Sequence, residues 1–105
     1  MTKIALYTTV EKTEPKEFID RVVSACKKLG IAYIADMQYN QVMVLFGYGL
    51  AVFNIEKYLS KDGPYIDVSI IPIGTKATLS SIIIDILKLL KEMNMNYESL
   101  SFIIQ

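Results

Sequence analysis

From Tyr65 to Gly74 the chain reads YIDVSIIPIG, in which Ile66, Val68 and Ile70 alternate with Asp67, Ser69 and Ile71. Immediately after a Gly-Thr step the spacing changes to TLSSIIIDILKLLKEM. An apolar period of two is that of a strand with one buried face, and a period near 3.6 is that of an amphipathic helix. A second strand starting at Tyr97 returns through YESLSFI, so Tyr65–Ser101 is a strand–helix–strand unit. The alternation also restricts the sheet. Strands sandwiched between two helical layers are apolar on both faces, whereas these carry polar residues on one face, so helices cover one side only.

The helix is expected from about Thr78 to Met93, with Leu79, Ile82, Ile83, Ile86, Leu90 and Met93 inward and Ser81, Asp85, Lys88 and Glu92 in water. Asn94 or Asn96 supplies a left-handed stop. The start of the chain repeats this plan. Lys3–Val10 alternates as a strand, Thr13 or Glu14 caps a helix with Pro15 in its first turn, and Phe18, Val22, Ala25, Cys26 and Leu29 form its apolar stripe. Gly30 ends the helix in the left-handed conformation, and Ile31–Gln38 is the returning strand.

Two β-α-β units in 105 residues predict a single α+β domain of ferredoxin-like split β-α-β type. Its antiparallel sheet would carry both helices on one face; a small doubly wound α/β fold is the alternative. Residues 40–64 form an insertion between the units. Val42–Phe46 and Leu50–Phe53 flank Gly47-Tyr48-Gly49 as a hairpin. Asn54 then caps a short helix, Ile55–Ser60, stopped by Asp62-Gly63-Pro64, unless one helix runs on from Leu50.

Composition removes several function classes. Lys plus Arg and Asp plus Glu are equal at 11 each, without the clustered basic residues of a nucleic-acid surface. The longest uncharged run, Asn40–Ile55, contains Gly47 and Gly49 and is too short to cross a bilayer. Met1-Thr2-Lys3 leads into the first strand without a signal-peptide core, which makes the cytoplasm the expected compartment. Histidine is absent, and there is no metal-ligand spacing, phosphate loop or dinucleotide fingerprint. Cys26, the only cysteine, belongs to an apolar helix face and is expected to be a buried structural thiol. No enzymatic activity, catalytic residue, metal or cofactor is expected.

The sheet face away from the helices is the candidate binding surface. It would carry Tyr7, Thr9, Asp67, Ser69, Ile71, Tyr97, Ser99, Ser101 and Ile103. RNA-binding sheets place stacking aromatics on the two central strands, but here Asp67 and Ser69 occupy one of those strands, and a carboxylate repels phosphate. The same carboxylate suits a cation. Asp36 is a second acidic residue that could meet Asp67 across the sheet.

The segment VSIIPIGTKATLSSIIIDILKLLKEMNMNYE resembles the small thiamine-binding ferredoxin-like proteins at Pro72, Gly74, Thr75, Ser80 and Tyr97. In that family a strand ends in Pro-hydrophobic-Gly-Thr, a Ser opens the helix and a Tyr follows its exit. The resemblance covers about a third of the chain, which lacks the Met-Gly-Thr and acidic residue that follow in that family. It implies a non-enzymatic domain that binds thiamine or its pyrimidine part and self-associates. Tyr7, Asp67, Ser69, Thr75 and Tyr97 are accordingly the candidate ligand-binding residues, although Thr75 and Thr78 also suit as N-caps. A homodimer or higher assembly follows independently from the 52% apolar composition and from a hairpin, with Met43, Leu45, Phe46, Tyr48 and Phe53, for which no helix remains as cover.

Overall fold

The computed structural model describes residues 3–96 and 99–104. The alternating segments become strands and the 3.6-period segments helices, in the order β1 (Ile4–Glu11), α1 (Pro15–Leu29), β2 (Ala32–Asp36), β3 (Gln41–Phe46), β4 (Gly49–Ser60), β5 (Gly63–Gly74), α2 (Leu79–Glu92) and β6 (Ser101–Ile104). All six strands join one antiparallel sheet in the order β2-β3-β4-β5-β1-β6. The class is α+β.

Both crossovers carry a helix and leave strands between their ends. The second unit places β1 between β5 and β6, while the first places β5, β4 and β3 between β1 and β2. The chain closes that wider gap with an antiparallel meander from β2 to β5.

One layer of side chains holds the helices to the sheet. Leu6, Val42, Val44, Ala51, Phe53, Ile66, Val68 and Ile70 from the strands are buried with Phe18, Ile19 and Val22 of α1 and Ile82, Ile86, Leu89 and Leu90 of α2. At about 25 cal/mol per Å² of apolar surface, each such side chain contributes roughly 1.5–3 kcal/mol on burial. Leu89 belongs to this core although the expected stripe omitted it.

The helix ends follow local chemistry. Pro15 opens α1, and Gly30 closes it at φ 71°, its neighbour Ile31 donating to the Cys26 carbonyl. Glu14 is the N-cap residue but makes no side-chain cap bond; it pairs instead with Lys57 at 2.8 Å. Asn94 takes the left-handed conformation after α2. There Arg21 of α1 donates to the Met93 carbonyl at 2.6 Å, and Lys28 pairs with Glu92 at 2.6 Å, which clasps the two helices together.

The insertion differs from expectation in two ways. Its hairpin forms around Gly47-Tyr48, but neither the short helix Ile55–Ser60 nor a helix from Leu50 exists: β4 runs on to Ser60 and pairs with β5 along its whole length. Asn54 faces Gln41 across the β3–β4 ladder and accepts from its side-chain amide rather than capping a helix. Lys61-Asp62 makes the turn, helped by Gly63 at φ 109° and by the Ser60 hydroxyl, which accepts from the Asp62 amide. Twelve-residue pairing satisfies the backbone of both segments, and Ile55 fits the buried face at the strand period.

The second correction concerns cover for the hairpin. The first crossover carries α1 over β2, β3 and β4, so Val42, Val44, Ala51 and Phe53 are fully buried. The uncovered residues Met43 and Leu45 belong to the continuous outer face of the sheet.

Candidate functional site

The register sorts the helix-free face into rows that run across the strands, because cross-strand partners project to the same side. One row is Ile34, Met43, Val52 and Ile71, extended on the far side of β5 by Ala5 and Ile103. A parallel row toward the β3–β4 turn holds Ala32, Leu45, Leu50 and Ile73. This half of the face is apolar, and Ile71, Ile73 and Ile103 are 38%, 48% and 42% exposed. Past the Ile71 row the character changes abruptly. Asp36, Gln41, Asn54 and Ser69 form the next row, with Tyr7 and Ser101 alongside, and Glu56, Asp67 and Thr9 form the one after it.

A depression of about 530 Å³ lies over the polar half, lined by Tyr7, Thr9, Asn54, Glu56, Asp67, Ser69 and Ser101 among others. Glu56 and Asp67 are direct cross-strand partners on β4 and β5, the two longest strands. Side chains in such positions have Cβ atoms only about 5 Å apart, and like charges there repel. Neither carboxylate is in an ion pair among the described residues. Each takes one hydrogen bond from a hydroxyl: Thr9 donates to Asp67 Oδ1 at 2.8 Å, and Tyr58 donates to Glu56 Oε2 at 2.7 Å. The bond to Glu56 and its negative charge push the Tyr58 phenol above its ordinary pKa. Tyr58 also stacks on Tyr65, ring centroids 5.3 Å apart, beside the acidic pair.

Tyr7, Asp67 and Ser69 thus share one depression. Thr75 does not belong to it. Eight residues beyond Asp67, at about 3.4 Å per residue of strand, it stands some 27 Å away at the α2 end of the sheet. Tyr97 lies outside the described residues. Asp36 sits on the edge strand β2, separated from β5 by β3 and β4, where its Oδ1 accepts from the amides of Gln38 and Tyr39 in a turn. The carboxylate that does meet Asp67 is Glu56. Sequence reading missed it because a helix was expected at Ile55–Ser60, which would have removed Glu56 from the sheet; the alternation of Asn54 and Glu56 with Phe53 and Ile55 was the available signal.

The Pro72–Thr75 segment, whose first three residues end β5, has a packing role. Pro72 is buried, and Gly49 and Gly74, paired across β4 and β5, accommodate the tip of Ile82: a methyl carbon on either would come within 2.4 Å of it. The Thr75 and Thr78 hydroxyls lie 3.1 Å apart, and Thr78 donates to the Thr75 carbonyl. Thr78 is the N-cap residue of α2 but makes no side-chain cap bond.

Cys26 is fully buried, and burial pushes its thiol up to about 11. Among the described residues no group of three or more His, Cys, Asp or Glu could hold a metal ion, and no helix is long and apolar enough to cross a membrane. No protein-family model matches the chain, and no curated protein matches it.

Proposed function

We propose that this chain is a non-enzymatic binding domain that takes a small cationic or amine-bearing ligand on the polar half of its helix-free sheet face. The observation that carries the reading is the Glu56–Asp67 pair, two carboxylates held opposite each other with no ion-pair partner among the described residues. A ligand ammonium or a positively charged heterocycle relieves their repulsion and gains charge-assisted hydrogen bonds. Tyr7 offers an aromatic wall, and Asn54, Ser69 and Ser101 offer hydrogen-bonding groups that fix orientation. Thiamine, cationic in its thiazolium ring and carrying an aminopyrimidine, has both features, and the resemblance at Pro72, Gly74, Thr75, Ser80 and Tyr97 points to the same ligand.

The scaffold fits the same proposal. Two β-α-β units with strands between their ends support a ferredoxin-like plan widened by two meander strands. Thr75 contributes no contact to a ligand over Asp67; the resemblance at that end of β5 supports the fold more than the site. Titration calorimetry with thiamine and its pyrimidine fragment tests the reading on wild type, Asp67→Asn and Glu56→Gln. Binding weakened at least tenfold by either substitution is expected, and no heat and no thermal shift at millimolar ligand would reject it.

The competing reading is a homo-oligomeric interaction module without a small ligand. The observation in its favour is the apolar half of the same face.

A further inference from the structure

A second depression, of about 720 Å³, lies over the apolar half of the outer face at the α2 end of β1 and β5. Its size is that of a small-ligand pocket, and hydrocarbon makes up most of its lining. Ala5 is the small residue of its row, between Ile103 of β6 and the Ile71 position of β5. With neighbouring strands about 4.8 Å apart, the two isoleucines flank a gap of roughly 10 Å at their Cβ atoms. Two carbon contacts of about 4 Å fill most of that width, so the gap takes one hydrocarbon chain and not two.

The ends of this groove are unlike in charge. Lys3 lines it at the start of β1, and Lys76 lines it in the turn before α2. Neither lysine is in an ion pair among the described residues, and no acidic residue is among those that line the groove. Tyr7 lines it too and also borders the acidic depression, in which Asp67 stands six residues from Ile73 along β5, some 20 Å at the strand rise of about 3.4 Å. An anion is therefore attracted at the lysine end and repelled at the other. We infer that the groove binds a medium-chain carboxylate, its headgroup at Lys3 and Lys76 and its tail over Ala5 toward Tyr7. The four residues from Lys3 to Tyr7 span about 14 Å, the length of a zigzag chain of about ten carbons with bonds near 1.5 Å.

This site goes beyond the cation site proposed above and shares only Tyr7 with it. Charge and chain length both enter its selectivity. A neutral chain of the same length gains the contacts with Ile71, Ile73 and Ile103 without the attraction of the lysines, and a short carboxylate gains the attraction without the contacts. Lysine meets the headgroup as a point charge on a flexible stem, whose methylenes extend the apolar lining.

Titration calorimetry at neutral pH and low salt with decanoate, the neutral decyl glucoside and acetate tests the inference. The proteins are wild type, the double variant Lys3→Gln/Lys76→Gln, Ile73→Glu and, as a charge control, Lys61→Gln in the exposed β4–β5 turn, with circular dichroism to establish that each folds. Wild type is expected to bind decanoate with a Kd below roughly 1 mM, decyl glucoside at least fivefold more weakly, and acetate not at all. The double variant should bind decanoate at least fivefold more weakly and lose the preference over decyl glucoside, an effect that added salt reproduces in wild type. Ile73→Glu, at a half-exposed position, should abolish binding, and Lys61→Gln should leave it within about twofold. No saturable decanoate binding at 1 mM would overturn the inference, as would decyl glucoside bound as tightly as decanoate, wild-type affinity in Ile73→Glu, or equal losses in Lys61→Gln and the double variant. The two sites fail separately: thiamine heat without decanoate heat rejects only the groove, and decanoate heat without thiamine heat rejects only the cation site.

Discussion

The Gly49–Gly74 pair under Ile82 gives the sharpest test of how α2 is seated. A Cβ at Gly74 would meet Ile82 Cδ1 at 2.4 Å and Thr78 Oγ1 at 2.8 Å, both side-chain atoms. At Gly49 it would meet the same Cδ1 at 2.4 Å but also the Ile73 carbonyl oxygen at 2.7 Å, which belongs to the sheet backbone. Ile82 is fully buried and has nowhere to turn. Overpacking of this kind costs about 1–3 kcal/mol, against which the loss of glycine's freedom in the unfolded chain returns roughly 0.4–1 kcal/mol. Gly74→Ala should therefore destabilise by about 1–2 kcal/mol and Gly49→Ala by somewhat more. Ile82→Val removes Cδ1 at its own cost of about 0.5–1.5 kcal/mol. Combined with Gly74→Ala it should cost less than the sum of the two single changes by ~1 kcal/mol, whereas with Gly49→Ala the carbonyl clash persists and the rescue is smaller. Urea denaturation of the singles and doubles reads these differences directly. A neutral Gly74→Ala, or equal rescue at both glycines, would refute the seating of α2 on this pair. Gly47→Ala, at an open hairpin tip with nothing within 4 Å, is the control and should stay within about 0.5 kcal/mol.

Phe53→Ala, which empties a fully buried position under the helices, should cost about 3–5 kcal/mol in the same assay; a change below 1 kcal/mol would contradict the cover that the helices provide for β4. Glu56→Gln keeps an acceptor for Tyr58 while removing one of two facing charges, so at neutral pH and low salt it should stabilise the unliganded protein by about 0.2–1 kcal/mol, an effect that 1 M salt should erase. Cys26 supplies a pH dependence: its folded-state value of about 11 exceeds the ordinary 9.0, so the native thiol keeps a proton that the unfolded one has lost. Its contribution is fully present below pH 9 and is lost as pH rises through 11, which should make wild type lose ~1–2 kcal/mol more than Cys26→Ala across that interval. Parallel stability curves for the two would rule out a buried thiol.

The helices and the strands β1 and β5 were legible because each presents one uninterrupted period with physical stops: Pro15 and Gly30 around α1, and the change from Ser69–Ile71 alternation to Ile82–Ile86 spacing at Gly74. Residues 54–64 were not. Asn54 followed by Ile55, Glu56 and Lys57 has the local chemistry of a capped helix start, and Gly63-Pro64 that of a stop. What makes this segment a strand is nonlocal: the pairing of Lys57 with Ile66, Tyr58 with Tyr65 and Leu59 with Pro64, a register no local window contains.

That one misreading carried over to the site. With Ile55–Ser60 helical, Asp67 appeared as a lone carboxylate and Asp36 as its nearest candidate partner, and the hairpin appeared bare of cover. Extending β4 by these residues brings Glu56 beside Asp67, aligns Val52 with Ile71, and completes both the acidic and the apolar rows in a single step. The outer face therefore owes its division to strand length. Each additional pair in the β4–β5 ladder adds a position at a fixed spacing of two, so the polar Asn54 and Glu56 had to fall on the same side as Leu50 and Val52. A ladder slipped by one residue would turn Glu56 into the core and expose Phe53, and the burial of Phe53 is the constraint that holds the acidic pair on the outer surface.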